Sequence, residues 1–197
     1  MKKILFIVPL LLAGIFMHAQ THVQFGLKGG LNVANIMGDN YDYNSRASFH
    51  AGGLAHIHLN KTWALQPELV YSGQGSQYAN SGNDYKTKLD YLNVPFLVQF
   101  MTESGFRLET GPQLGFLLRA RNQVDDGVNN NINDGFKPVD FSWALGAGFL
   151  FPSGFGLDAR YNFGISKIND EGSTDLRNGV FQFGVFYQFP RVDVDKR

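Results

Sequence analysis

Asn178–Phe189 reads NGVFQFGVFYQF, and the alternation in this stretch decides the fold. Phe181, Phe183, Val185, Tyr187 and Phe189 share one face; Val180, Gln182, Gly184, Phe186 and Gln188 share the other. A period of two marks a β-strand with unlike surroundings on its two sides. The first face is apolar or aromatic at every position, so it requires an apolar environment.

The beginning of the chain supplies the context. Lys2 and Lys3 precede the apolar run Ile4–Met17, and Ala19 follows, which predicts an export signal over residues 1–19. Pro9 and Gly14 interrupt that run, and it falls short of the roughly 20 apolar residues of a spanning helix. With an export signal in place, Gln182, Gly184, Tyr187 and Phe189 resemble the insertion signal in the last strand of bacterial outer-membrane barrels. The polar tail of residues 190–197 departs from that pattern, because many barrels stop at the last aromatic.

Composition narrows the class further. The chain has no cysteine, which excludes a disulfide scaffold and a lipid-anchored cysteine. Removing Lys2 and Lys3 leaves 15 basic against 17 acidic residues, so nothing points to a nucleic-acid partner. Eighteen Phe and 23 Gly accompany only 17% charged residues, and no second apolar run approaches the length of a membrane helix. Aromatics separated by glycines fit strands that are apolar on one side and crowded on the other.

Seven further segments repeat the pattern: Val23–Ala34, Phe49–Leu59, Trp63–Gln74, Leu89–Phe100, Phe106–Arg119, Val139–Phe151 and Phe155–Ile165. With the last strand they make eight. The connections alternate in length. Those at Asn60–Lys61, Thr102–Gly105 and Pro152–Gly154 are tight, while Ile36–Ser48, Ser76–Lys88, Ala120–Pro138 and Ser166–Arg177 read as long polar loops. An even strand number with short turns at one end and long loops at the other is the plan of a bacterial outer-membrane barrel. The expected fold is therefore all-β, an eight-stranded antiparallel up-and-down transmembrane β-barrel over residues 20–189.

A soluble barrel with an apolar interior is the competing arrangement. Eight strands enclose a space that side chains just fill, and the aromatic face carries too much volume to fit inside. The other face, with Lys28, Arg107, Arg119 and Arg160 beside Glu68, Glu109 and Asp158 among glycines and short polar groups, suits a narrow lumen. Trp63, Phe100, Phe106, Phe151, Phe155, Tyr187 and Phe189 gather near the tight turns, as in an interfacial girdle.

Four stretches carry a resemblance to the PorT-like outer-membrane β-barrel proteins of Gram-negative bacteria: Phe25–Ile36 (FGLKGGLNVANI), Tyr91–Phe100 (YLNVPFLVQF), Gly111–Leu118 (GPQLGFLL) and Leu157–Ile168 (LDARYNFGISKI). The resemblance implies an eight-stranded barrel in the cell outer membrane. It implies no single biochemical activity, since some members serve secretion machinery and many have no assigned role.

The candidate site is the lumen. Lys28, Arg107 and Arg160 face Glu68, Glu109 and Asp158, and unpaired charges in so confined a space carry a heavy desolvation penalty. The six are expected to pair and plug the barrel. His50, His56 and His58 share the inward face, and His-x-His on a strand can chelate a metal; with no Asp, Glu or Cys in that strand, they are read as lumen fillers and no metal site is assigned. The Asp125–Asp134 loop has no glycine at the sixth position that a calcium loop requires, and Gly26, Gly29 and Gly30 lack the Gly-Lys-Ser/Thr ending of a phosphate loop. No catalytic arrangement stands out, and no cofactor is expected. The expected function is that of a non-enzymatic barrel acting through its loops or periplasmic rim in secretion or envelope assembly. Its expected partners are outer-membrane lipid, the barrel-insertion machinery and an envelope or secretion-complex protein. The alternative is a narrow channel or small-ligand carrier using the lumen.

Overall fold

The computed structural model describes residues 23–38, 44–80, 83–124, 127, 129–170 and 175–190. The expected export signal and the tail beyond Pro190 lie outside them. The strands are β1 (Val23–Met37), β2 (Asn44–His58), β3 (Trp63–Asn80), β4 (Asn83–Met101), β5 (Phe106–Val124), β6 (Asn129–Asn131), β7 (Val139–Leu150), β8 (Phe155–Gly164) and β9 (Arg177–Gln188). Each long strand pairs antiparallel with the one before it, and β1 pairs with β9 from Gly26↔Gln188 to Met37↔Arg177. Eight strands thus close into a barrel. The short β6 adds to β5 beyond the barrel wall, through Arg121↔Asn131 to Gln123↔Asn129.

The two faces divide as the alternation requires. Phe25, Leu27 and Leu31 of β1 are 64%, 59% and 67% exposed, while Lys28 and Asn32 between them are buried. The same holds for Phe181, Phe183 and Val185 against Gln182 and Phe186 in β9. Apolar groups outside and polar groups inside invert the order of a water-soluble domain, which only an apolar solvent around the barrel makes favourable. At the tight-turn end the aromatics touch in pairs: Trp63 with Phe100 at 5.4 Å, Phe155 with Tyr187 at 4.8 Å and Tyr187 with Phe189 at 5.6 Å between centroids.

Three features depart from the sequence expectation, all at the long-loop end. The segment Ser76–Lys88 is not a loop, because β3 and β4 stay paired out to Asn80↔Asn83, and strand also enters two other expected loops, with β2 starting at Asn44 and β5 running to Val124. Alternation does not reveal such an extension, since Gln77, Asn80, Lys86, Thr87 and Lys88 are polar at both parities. Second, the β4–β5 register shifts between Asp90↔Arg119 and Tyr91↔Leu117. Leu118 is the extra residue of a β-bulge, which reverses the alternation beyond it. Arg119 is therefore exposed on the outside rather than inward. Third, the loops Ala120–Pro138 and Ser166–Arg177 are not uniformly polar. Ile168 packs into a buried cluster with Ile36, Leu89, Tyr91 and Ala120, flanked by Leu117, Ile132, Phe136 and Leu176. Lys137 N–H donates to Ile168 O at 2.7 Å, and Phe136 bridges to Asn169, so the two loops fold together over the barrel.

The inner wall depends on glycines at a few positions. Gly156 lies opposite Phe186, and a Cβ there would enter the Phe186 ring, so this glycine gives the inward aromatic its space. Gly105 and Gly154 take φ of +97° and +89° in the tight turns, where a side chain would be strained.

Candidate functional site

Five of the six expected luminal charges meet in one cluster. Glu68 of β3 receives a two-pronged contact from Arg160 of β8, Nη1 to Oε2 at 3.0 Å and Nη2 to Oε1 at 2.9 Å. Arg160 also reaches Glu109 of β5, with Nε donating at 2.8 Å and Nη2 at 2.7 Å. Lys28 of β1 approaches Asp158 of β8 at 2.6 Å and Glu68 at 3.4 Å. Side-chain amides complete the set: Gln66 donates to Glu68 and Gln99 to Glu109, both at 2.8 Å. A forked guanidinium serving two carboxylates is a strong and geometrically demanding contact.

The cluster closes the lumen at this level. Strands β1, β3, β5 and β8 lie around the whole barrel, so the bonds cross the interior instead of running along one wall. The Glu68 side chain is 0% exposed and those of Arg160 and Lys28 are 2% exposed. Groups at the barrel axis with no accessible surface leave no room beside them for a solute. The balance within the cluster is uneven: two cations face three carboxylates. The sixth residue, Arg107, stands apart among the described residues. It donates to Gln188 at 3.3 Å and lies over the Phe186 ring at 5.8 Å, rather than pairing with a carboxylate. Its register opposite Met101 and Gly148 puts it near the tight-turn mouth, below the reach of Arg160.

A neutral network lies toward the long loops. Asn32 accepts from Gln182 at 3.0 Å and shares a 2.8 Å hydrogen bond with His50 Nδ1. Its amide nitrogen donates to Ser72 Oγ at 3.0 Å and Gly73 O at 2.8 Å, and Asn162 donates to Gln182 at 3.0 Å. Further out, Asp140 accepts from Ser166 at 2.6 Å and Asn178 at 3.1 Å, beneath the apolar cap. From the tight-turn end to the long-loop end the lumen thus contains Arg107 and glutamines, the ion cluster, an amide network and an apolar lid. The lid is not visible in the sequence, because its members come from separate segments and none forms a run.

The other candidates named from the sequence take these places. Gln182 and Gly184 point into the lumen; a Cβ on Gly184 would approach Asp158 Oδ1 at 2.7 Å and His50 Nε2 at 3.0 Å. Tyr187 and Phe189 lie on the outer aromatic rim. His56 shares a 3.2 Å hydrogen bond with Gln66 and meets the His58 ring edge-on at 4.5 Å. Among the described residues, no three His, Cys, Asp or Glu side chains are grouped to hold a metal ion. Asp125 and Asp126 lie outside the described residues; the Asn131 and Asn133 side chains accept from the backbone N–H groups of Asn133 and Ala120.

Comparison with solved structures finds other small outer-membrane barrels. Neisserial surface protein A is similar with a TM-score of 0.56 and 21% identity, over 85% of this chain and 99% of that one. Ail, the attachment invasion locus protein of Yersinia pestis, solved with the heparin analogue sucrose octasulfate, gives 0.52 and 20% over 85% and 99%. At these identities the likeness concerns the fold. No curated protein sequence matches the chain. The profile of one family matches residues 18–170, and with the closed barrel and inverted faces it places the chain in the outer membrane, as a member of the outer membrane protein β-barrel domain family.

Proposed function

We propose that the chain is a non-enzymatic barrel that works through its surfaces, with the long loops or the tight-turn rim docking another envelope protein. The observation that carries this reading is the Lys28–Glu68–Arg160–Glu109 crossing, which fills the lumen with completed contacts. A wall with no free space at its centre offers solutes no path, so the exposed ends are what remains for recognition. We further place the chain in the PorT-like branch on Phe25–Ile36, Tyr91–Phe100, Gly111–Leu118 and Leu157–Ile168, and read residues 1–19 as its export signal. With tight turns facing the periplasm, the rim around Lys61, Glu103 and Ser153 would meet secretion or assembly components.

The test is affinity capture from crosslinked outer membranes. Wild-type barrel is compared with one variant bearing a replaced rim (Lys61→Ser, Glu103→Ser) and another bearing replaced long-loop residues. A specific envelope protein captured by the wild type and lost with one set of replacements supports the reading. An identical capture profile from all three contradicts it.

A further inference from the structure

The outer face of the β4–β5 hairpin changes character at one level. Along β4 the outward residues run Phe100, Val98, Phe96, Val94 and Leu92, then Asp90 and Lys88; along β5 they run Leu114, Phe116 and Leu118, then Arg119 and Arg121. The Leu118 bulge produces this change on β5. Strict alternation from Arg107 onward would turn Arg119 and Arg121 into the lumen. The extra residue turns both outward, opposite Asp90 and Lys88, while Ala120 takes the inward place against Leu89. Lys88 and Arg121 are thus directly opposed like charges, an arrangement that destabilises a bare sheet.

More positive charge gathers around them. Arg46 and Lys86 lie within electrostatic reach of Lys88 as well. Among the described side chains of this patch, the carboxylate is Asp90, which is engaged by Arg121 at 3.0 Å and by the Tyr71 hydroxyl at 2.9 Å. In the 165–176 loop, by contrast, Lys167 meets Asp175 at 2.5 Å. The cationic patch therefore sits on one hairpin, immediately above exposed Phe116 and Leu118, which are 42% and 54% exposed to the surrounding lipid.

We propose that Lys88, Arg119 and Arg121 dock the phosphate groups of a lipid headgroup in the leaflet at the long-loop end. Continuity with the apolar band selects a lipid over a soluble anion: acyl chains lie along Leu92, Phe116 and Leu118 while the phosphates reach the cations directly above. Guanidinium forks suit phosphate oxygens, and basic residues at a membrane surface attract anionic lipid. The bulge is then a device that aims two arginines at the headgroup layer.

The experiment uses the full barrel refolded in detergent. It is equilibrated with phosphatidylcholine plus a small fraction of either bis-phosphorylated lipid A or the same lipid with its phosphates removed, and bound lipid is counted by native mass spectrometry. Wild type should retain the phosphorylated lipid preferentially. The Lys88→Gln, Arg119→Gln, Arg121→Gln variant should lose that preference, by roughly fivefold per cation removed, whereas Lys61→Gln at the opposite end should keep it. Arg119→Gln alone, on an exposed side chain, provides a folded comparison should the triple variant refold poorly. Equal retention of both lipids by the wild type would assign the contact to the acyl chains and overturn the proposal. So would unchanged preference in the triple variant or, should that variant not fold, in Arg119→Gln.

Discussion

Replacing Arg160 should harm the barrel more than replacing Glu68, although the two touch each other. Arg160 is the link between two carboxylates, and without it Glu109 keeps the Gln99 hydrogen bond and the longer-range attraction of Arg107, while Glu68 keeps Lys28 at 3.4 Å and Gln66. An Arg160→Met variant therefore holds three buried carboxylates with one directly paired cation, Lys28, and no cation bonded to Glu109. Stripping a partner from a buried pair costs about 3–5 kcal/mol, mostly as uncompensated charge, and this variant should fall in that range. Glu68→Gln differs in kind. It leaves Lys28 with Asp158 at 2.6 Å and Arg160 with Glu109 at 2.7 Å, two complete pairs with balanced charge. Its cost should be that of weakened charge-assisted hydrogen bonds, about 1.5–3 kcal/mol. The assay is equilibrium urea unfolding of the refolded barrel in lipid vesicles, followed by tryptophan fluorescence, with reversibility checked from both directions. A Glu68→Gln cost equal to that of Arg160→Met, or a neutral Arg160→Met, would refute the assignment of the loss to uncompensated charge.

Other expectations rest on single contacts. Gly156→Ala puts a methyl group into the Phe186 ring and should cost about 1–3 kcal/mol as overpacking, seen in the same unfolding assay; an unchanged midpoint would show that the ring has another place to go. Ile168→Ala removes a fully buried side chain from the apolar lid, for a loss of about 2–5 kcal/mol if the lid unfolds with the barrel. If the lid opens separately, hydrogen exchange should instead accelerate at the Lys137 and Ile168 amides while the β1–β9 ladder keeps its protection. Epitope tags inserted within residues 39–43 or 171–174 should bind antibody on intact cells, and tags at Asn60 or Ser153 should not; the reverse labelling would invert the topology.

How far the sequence could be read depended on where the environment differs across the wall. Between the membrane interfaces each strand has lipid on one side and a tight lumen on the other, so Phe181–Phe189 and its counterparts alternate openly, and the inward placement of Lys28, Glu68 and Arg160 could be read from parity. The partners could not be read. Which carboxylate each cation meets depends on the stagger between distant strands, and that stagger leaves Arg107 with Gln188 and Phe186 instead of an acid. Toward the long loops the signal disappears, because Gln77, Asn80, Lys86, Thr87 and Lys88 are polar at both parities and leave no apolar face to detect. The Leu118 bulge is one residue of extra length, defined only by the pairing of its neighbours, Arg119 with Asp90 and Leu117 with Tyr91. Parity therefore failed at Arg119.

Closure of the lumen by its own charged side chains is the property on which the functional reading depends. Ion conductance of the purified barrel in a planar lipid bilayer measures it, with wild type beside a Glu68→Ala, Glu109→Ala, Arg160→Ala variant that clears the crossing while removing two negative charges and one positive. The wild type should show no steady conductance, and the cleared barrel, if folded, should show small discrete openings. Steady conductance from the wild-type barrel would mean an open lumen and contradict the closure.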